Sequence, residues 1–428
     1  MCDNERDFAR LLSYKPSNME KPMYIKSLKL QNFRNYADES FAFDPAVNLI
    51  CGENGQGKTN LLEAAAACST MRLFRTAQKK EGLRFGENHA FIFADFLAQE
   101  RDISLELRFS RTKAMEIYKN GVRQKRQSDA QGLLKTVLFC PEDLMLVRAG
   151  AAARRRFLDT ALCQMRPNYA RYLEEYNRLH EHKTRILRDS EEKPSLLSMW
   201  EDFSLRMAHI GAQIIRYRAY YCRKLLKAAA AVYADIAPHE VLSGVYKTVS
   251  SVTDPFADAR TIEKQLIDHV FSHKTAEIAA KSCLSGPHKD DLELLLDGRS
   301  AASFGSQGQV RTCTLSLKLA ERELFFDEDG EYPVLLLDDV LSELDRRRQD
   351  FVLNRISAGQ VMIGKAACRR GFPYSKRRKI RRNTLKSHNF TNYCTAGTDT
   401  TSKFPAVPLF SFKKTEKYLF FLRFMVHN

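Results

Sequence analysis

The chain has no run approaching ~20 apolar residues, the length that crosses a bilayer, so no membrane-spanning helix and no membrane partner is expected. Its first residues, Met1-Cys2-Asp3-Asn4-Glu5-Arg6-Asp7, lack the basic stretch followed by an apolar one that marks a secretory signal. The ten cysteines are scattered without a Cys-x-x-Cys pair, and His180 and His182 have no cysteine nearby. That argues against a zinc site and leaves thiols of a reducing cytoplasm as the simpler reading. There are no internal repeats. Acidic residues are scarce at one end only: from Gly364 to Asn428 there are 15 Lys and Arg against 2 Asp and Glu, whereas residues 1–363 carry 53 against 50. The net charge of +16 is thus a property of the tail, and composition gives the body no strong case for nucleic acid. The rest is an ordinary soluble profile, 44% hydrophobic and 28% charged over 428 residues, enough for two or three domains.

Against this plain background one stretch stands out. Gly52-Glu53-Asn54-Gly55-Gln56-Gly57-Lys58-Thr59 follows the apolar run Val47–Cys51 and precedes the helix-like Asn60–Ala67. This is G-x4-G-K-[ST] between a strand and a helix, the context that gives the pattern its meaning. Gly52, Gly55 and Gly57 allow backbone conformations that turn successive N–H groups inward, and the helix adds its positive end. Lys58 supplies a point charge for the β- and γ-phosphates of ATP, and the Thr59 hydroxyl suits Mg²⁺.

Period-two alternation predicts strands at Tyr24–Leu30, Phe41–Phe43, Ala90–Phe96, Ile103–Phe109 and Ala114–Tyr118, with Asn120-Gly121 closing a hairpin. An antiparallel sheet therefore flanks the nucleotide core. From about Arg154 to Pro238 the pattern turns helical. Asp159–Arg188 and Leu197–Ala237 read as two long helices separated by Glu191–Ser195, an antiparallel hairpin that projects as an arm or folds into a compact subdomain. Alternation returns at Asp291–Leu296, and Thr312–Phe325 reads as a helix.

Val334-Leu335-Leu336-Leu337 is a run fit for a strand buried on both faces, and it delivers Asp338 and Asp339 at its C-terminal end. Asp338 would hold Mg²⁺, and Asp339 would orient or deprotonate the attacking water. The two motifs lie nearly 280 residues apart, so the core is assembled from both ends of a chain with the helical segment inserted between them. Ser306-Gln307-Gly308-Gln309 opens a helix, either as a further anion site or as a simple capped start.

Taken in order, Tyr24–Tyr36, the phosphate loop, Phe139-Cys140-Pro141-Glu142-Asp143-Leu144, Arg154–Asp159, Gly286–Leu292, Ser306–Gln309 and Leu336–Asp345 resemble the bacterial RecF family, relatives of the SMC ATPases, over about residues 23–363. The resemblance implies an α/β fold: a P-loop ABC-type ATPase head with a flanking antiparallel sheet and an inserted helical arm. It divides the chain into an N-terminal extension (1–22), two head parts (23–150 and 286–363), the helical domain (151–285) and an atypical tail (364–428). It makes Ser306, Gly308 and Gln309 a signature motif acting across a dimer of two heads that sandwich ATP. It makes Asp345 a dimer-interface residue, and it puts Arg34 and Asn35 near the nucleotide. It further implies duplex, gapped and single-stranded DNA as partners, work with RecO and RecR to load the recombinase during repair, replication and the SOS response, and slow hydrolysis. The competing readings are a transport-type ABC ATPase and a damaged, nucleotide-binding remnant.

The resemblance stops after Gly359-Gln360-Val361-Met362-Ile363, inside an expected strand, and puts the strand edge and the γ-phosphate switch beyond it in doubt. The basic tail reads as a nucleic-acid arm, a solvated segment without a role, or the product of a shifted reading frame, and the sharpness of the change favours the last. Since the resemblance begins there, Met23 is a candidate start beside Met1. Sequencing the coding DNA tests the shift: another frame just after the Ile363 codon restores family-like sequence, and the absence of any such frame refutes it.

Overall fold

A computed structural model describes residues 22–76, 78–356, 358–365 and 381–384. The N-terminal extension and nearly all of the tail, with the switch expected beyond Ile363, lie outside the described residues. Strands β1 (Tyr24–Phe33), β2 (Tyr36–Ala42), β3 (Val47–Cys51), β4 (His89–Ala98), β5 (Arg101–Ser110), β6 (Glu116–Lys119), β7 (Val122–Arg123) and β8 (Thr136–Phe139) fill the first third. All but β3 and β8 form one antiparallel sheet in the order β2-β1-β4-β5-β6-β7. Asn120 and Gly121 both take positive φ between β6 and β7, the mirror-image turn that the Asn-Gly pair favours.

The second sheet is parallel. β3 and β8 join β12 (Val334–Asp338), β13 (Val361–Lys365) and β14 (Arg381–Thr384) in the order β14-β3-β13-β12-β8. Despite the break in resemblance at Ile363, β13 pairs with β12 as far as Gly364 and with β3 as far as Lys365. Alternation along these strands builds two cores. Ile50, Leu336 and Met362 face helix α1 (Lys58–Thr70) and the antiparallel sheet. Leu49, Leu335, Leu337 and Ile363 face the helical side. Helix α1 is buried on most of its circumference because its run of alanines lets two sheets approach it closely.

The helical side contains α2 (Ala151–Met165), α3 (Pro167–Asp189), α4 (Trp200–Ile236), α5 (Ala259–Ser272) and α6 (Lys274–Ala280). The helix expected over Asp159–Arg188 is broken at Arg166, and Pro167 opens α3, where its missing N–H costs no hydrogen bond. The pair α3 and α4 is no bare arm. α4 also packs on α5, on the strand β9 (Leu242–Lys247) and on α8 (Gln307–Asp329) of the head. β9 pairs with β10 (Asp291–Leu296), which pairs with β11 (Arg299–Ser300); the short α7 (Ala301–Phe304) leads into α8, and α9 (Arg346–Arg355) follows β12.

Two buried side chains tie distant segments together. Arg218 of α4 donates to Asp159 of α2 at 2.9 and 3.0 Å, to Tyr169 of α3 at 3.0 Å, and to the Pro287 carbonyl and Asp290 at 2.7 and 3.1 Å. Gln360, fully buried, donates to the Ile25 and Asp44 carbonyls at 2.9 and 2.8 Å and accepts from the Ile25 amide at 2.8 Å, 335 residues away in sequence. Replacing Gln360 with Met leaves three backbone groups without that partner in a dry environment. The expected loss is about 3 kcal/mol in urea denaturation, and a loss near zero would show that the clasp is dispensable.

Candidate functional site

The phosphate loop leaves β3 at Cys51 and enters α1 at Lys58. Its left-handed backbone is at Gly55 and Gly57, with φ of 81° and 104°. A Cβ at Gly57 would lie 2.8 Å from the Asn35 side chain and the Tyr36 hydroxyl, so glycine is required there for space as well as for φ. The Tyr36 hydroxyl donates to the Gly57 carbonyl at 2.9 Å, and Asn60 donates to Asn35 at 2.8 Å. The β1–β2 turn thus braces the loop from behind. Gly57 has no side chain to cap α1, so the first-turn amides of the helix remain for an anion. Lys58 is folded back, its ammonium donating to the Gly52 and Glu53 carbonyls at 2.8 and 2.9 Å. The Glu53 amide donates to the Gln56 side-chain oxygen at 3.0 Å, and the Gln56 amide donates back to the Glu53 carbonyl at 3.3 Å. Asn54 and Gly55 form the turn between them.

The decisive contact joins the two ends of the chain. The Thr59 hydroxyl donates to Asp338 at 2.9 Å, across 279 residues. Burial raises the proton affinity of Asp338; the Thr59 hydrogen bond opposes this, and the charges of Asp339 and Glu142 add to it. A buried carboxylate beside a hydroxyl, crowded by other carboxylates, is a hard-oxygen set that suits Mg²⁺. Asp339 takes φ of 52°, an uncommon conformation for a residue with a side chain and one that clusters at functional sites. Its amide reaches the Gly364 carbonyl at 3.2 Å, and Ser342 donates to its carbonyl at 2.6 Å.

Arg34 lies behind this site. Its guanidinium forms a two-pronged pair with the buried Glu63 of α1 at 2.8 and 3.0 Å and donates to the Glu81 carbonyl at 2.8 Å. It braces the nucleotide helix, and its donors are committed to protein groups. Arg75, which sequence reasoning passed over, reaches Asn60 at 3.1 Å, and its charge favours the ionised form of Asp338.

Ser306 caps α8 by accepting from the Gln309 amide at 3.2 Å, and the Gln309 side chain accepts from the Ser306 amide at 2.7 Å. The capped-start reading holds, and Ser306 is also exposed beside the exposed ring of Phe304. Among the described residues no hydrogen bond joins Ser306–Gln309 to the phosphate loop. Arg348 connects the signature segment to the turn after β12 instead. It donates to the Gly308 carbonyl at 3.1 Å and to Thr312 at 2.9 Å, and it pairs with Asp345, the residue that caps α9. No local pattern distinguishes Arg348 within Arg346-Arg347-Arg348, so only the fold reveals it.

A parallel sheet that sets a phosphate loop beside a strand-end carboxylate pair, with an antiparallel sheet on one side and a signature helix on the other, defines an ATPase head of the SMC type. The family model described as the RecF/RecN/SMC N terminal domain matches residues 24–363. The DNA replication and repair protein RecF of Acetivibrio thermocellus is 34% identical over 341 residues, 80% of this chain and 92% of that one. RecF of Bacillus cytotoxicus is 38% identical over 335 residues, 78% and 89% of the two chains. A solved structure of the recombination mediator protein RecF with ATP, in the RecFOR pathway, is 30% identical, with a TM-score of 0.78, and the match covers 86% of this chain and 97% of that chain. The chain belongs to the RecF family of DNA replication and repair proteins.

The geometry predicts that Arg348→Ala leaves ATP affinity within about twofold, because Arg348 does not touch the phosphate loop. Hydrolysis falls about tenfold as the Asp345 and Gly308 segments lose their common anchor. Titration with a fluorescent ATP analogue beside phosphate-release kinetics checks this; equal losses in both would place Arg348 in the nucleotide pocket.

Proposed function

We propose that this chain is an ATP-dependent DNA-binding switch of recombinational repair and replication. In this reading it closes as a homodimer around ATP and Mg²⁺, binds duplex, gapped or single-stranded DNA in that state, and works with RecO and RecR to load the recombinase, including during the SOS response. The observation that carries the reading is the Thr59–Asp338 hydrogen bond, which sets the phosphate loop against a buried carboxylate. The membership of the chain in a family whose solved member is a recombination mediator with ATP supplies the biological setting.

The residues divide the work. The loop from Gly52 to Thr59, with the first amides of α1, binds the phosphates, and Lys58 exchanges the Gly52 and Glu53 carbonyls for phosphate oxygens. Thr59 and Asp338 would hold Mg²⁺, which supplies charge neutralisation on the phosphates. Asp339, held by its unusual backbone at the end of β12, orients the attacking water and accepts its proton. The exposed Ser306 and the half-buried Gly308 and Gln309 are offered to the nucleotide of a second copy, since among the described residues no hydrogen bond joins them to the loop of their own chain. The exposed Phe304 gives that contact an apolar element. A chain whose site is completed only by a second copy hydrolyses ATP slowly when alone, which suits a timer for release. Among the described residues no helix is long and apolar enough to cross a membrane.

Light scattering with ATP and Mg²⁺, with and without gapped duplex, tests the proposal. The intact chain passes from monomer to dimer. Lys58→Ala neither binds ATP nor dimerises. Ser306→Arg binds ATP within about twofold of the intact chain and stays monomeric. Dimerisation by Ser306→Arg would sink the in-trans assignment, and a monomeric intact chain would sink the clamp.

A further inference from the structure

The segment between α1 and β4 presents Phe85 fully exposed. It does so at the corner of a tight turn: the Glu87 amide donates to the Arg84 carbonyl at 3.0 Å, and Gly86 takes φ of 86°. The other large apolar side chains of the segment behave differently. Leu73 and Leu83 are buried, and Phe74 packs half-buried against the same core. Phe85 is thus held out by a defined turn while its neighbours are drawn in.

Around it the segment is basic in a body that is nearly neutral. Residues 72–87 contain five Lys and Arg against Glu81 and Glu87. Arg72 and Lys80 are exposed, and Lys79 and Arg84 are half-buried. Lys79 has its proton affinity lowered by burial and then by the nearby charge of Arg72, with Glu174 opposing the shift. Arg84 adjoins Phe85 in the turn, and an exposed aromatic ring in a cation-rich segment supplies the elements of a single-strand platform, in which phosphates meet the charges and a base stacks on the ring. The segment is also fastened to the nucleotide helix. Arg34 donates its amide to the Gly82 carbonyl at 2.8 Å and its side chain to the Glu81 carbonyl, while pairing with Glu63 of α1. The Arg75 amide reaches the same Glu63 at 3.2 Å.

We propose that residues 72–87 form a nucleic-acid contact in which Phe85 stacks on an unpaired base at a gap while Arg72, Lys79, Lys80 and Arg84 take the flanking phosphates. This rests on the DNA-binding reading above and names where a gap would be told from intact duplex. A duplex offers no free base face except at its ends, so the ring contributes only where bases are unpaired. The cations contribute to both substrates.

Fluorescence anisotropy with the full chain, ATP and Mg²⁺, on a gapped duplex and on the matching intact duplex, tests it. Phe85→Ala weakens binding to the gapped duplex about tenfold and leaves intact duplex within about twofold. Phe85→Trp restores the difference. Lys80→Ala combined with Arg84→Ala weakens both and lowers the salt slope by about one for each cation. ATP-driven dimerisation is unchanged in all three. A Phe85→Ala chain that binds both DNAs as the unsubstituted chain does overturns the proposal, even if it has lost a protein partner. An unsubstituted chain that binds neither DNA overturns the DNA-binding reading and this proposal together.

Discussion

The parallel pairing of β13 between β3 and β12 is the constraint on which the site depends. β3 carries the phosphate loop and β12 carries Asp338 and Asp339, but the two strands are not neighbours. Only when β13 lies between them does the sheet set Thr59 within hydrogen-bond distance of Asp338. Gln360 sits at the entry to β13 and uses every polar atom of its amide on backbone groups of the N-terminal strands. Closure of the sheet, placement of the loop and alignment of the carboxylate are therefore one event rather than three. The long connection between the ends raises the entropy of closure only slowly with its length, which makes so large an insertion tolerable.

The insertion is itself fastened to the head by charge. Arg154 forms a two-pronged pair with Asp291 at 2.7 and 2.8 Å, and Arg155 bonds the Asp290 carbonyl at 2.6 Å. Arg218 gathers Asp159, Pro287 and Asp290. The Arg-rich start of α2 and the Gly286–Leu292 segment, far apart in sequence, are two halves of one joint. Buried pairs of this kind add little net stability over apolar packing but are costly to break singly.

Much of this was legible in the chain. The phosphate loop and the Val334–Asp339 run carry their meaning in local order: glycines where the backbone must turn, apolar residues where a strand is covered on both faces. The antiparallel sheet and its Asn120-Gly121 turn were equally local. The residues that escaped notice act at a distance. Tyr36, Arg218 and Arg348 belong to ordinary strands or helices and Gln360 directly precedes β13, and no spacing separates them from their neighbours. Arg34 shows the reverse case. Resemblance set it near the nucleotide, and it does lie against the nucleotide helix, but Glu63 holds it there as a brace. The break at Pro167 could have been read from the sequence, since proline at a first helical position ends one helix and starts the next.

The site combines satisfied and waiting groups in a way that bears on the proposed switch. Arg34, Tyr36 and Asn35 are bonded to protein and form a rigid floor. Lys58 and Thr59 are bonded too, but to partners that phosphate and a cation would replace: two carbonyls for the one, a buried carboxylate for the other. Exchanging one good partner for a better one needs no collapse of the loop when the ligand leaves, so the empty and filled states differ little in this half. The signature half has no such exchange to make. Ser306 and Gln309 bond each other, Gln309 also donates to Glu240 at 3.0 Å, and Ser306 is exposed. In the proposed dimer, the free-energy difference between the two states would then come mainly from the contact between copies, so that the nucleotide would act on assembly rather than on the fold of a single chain.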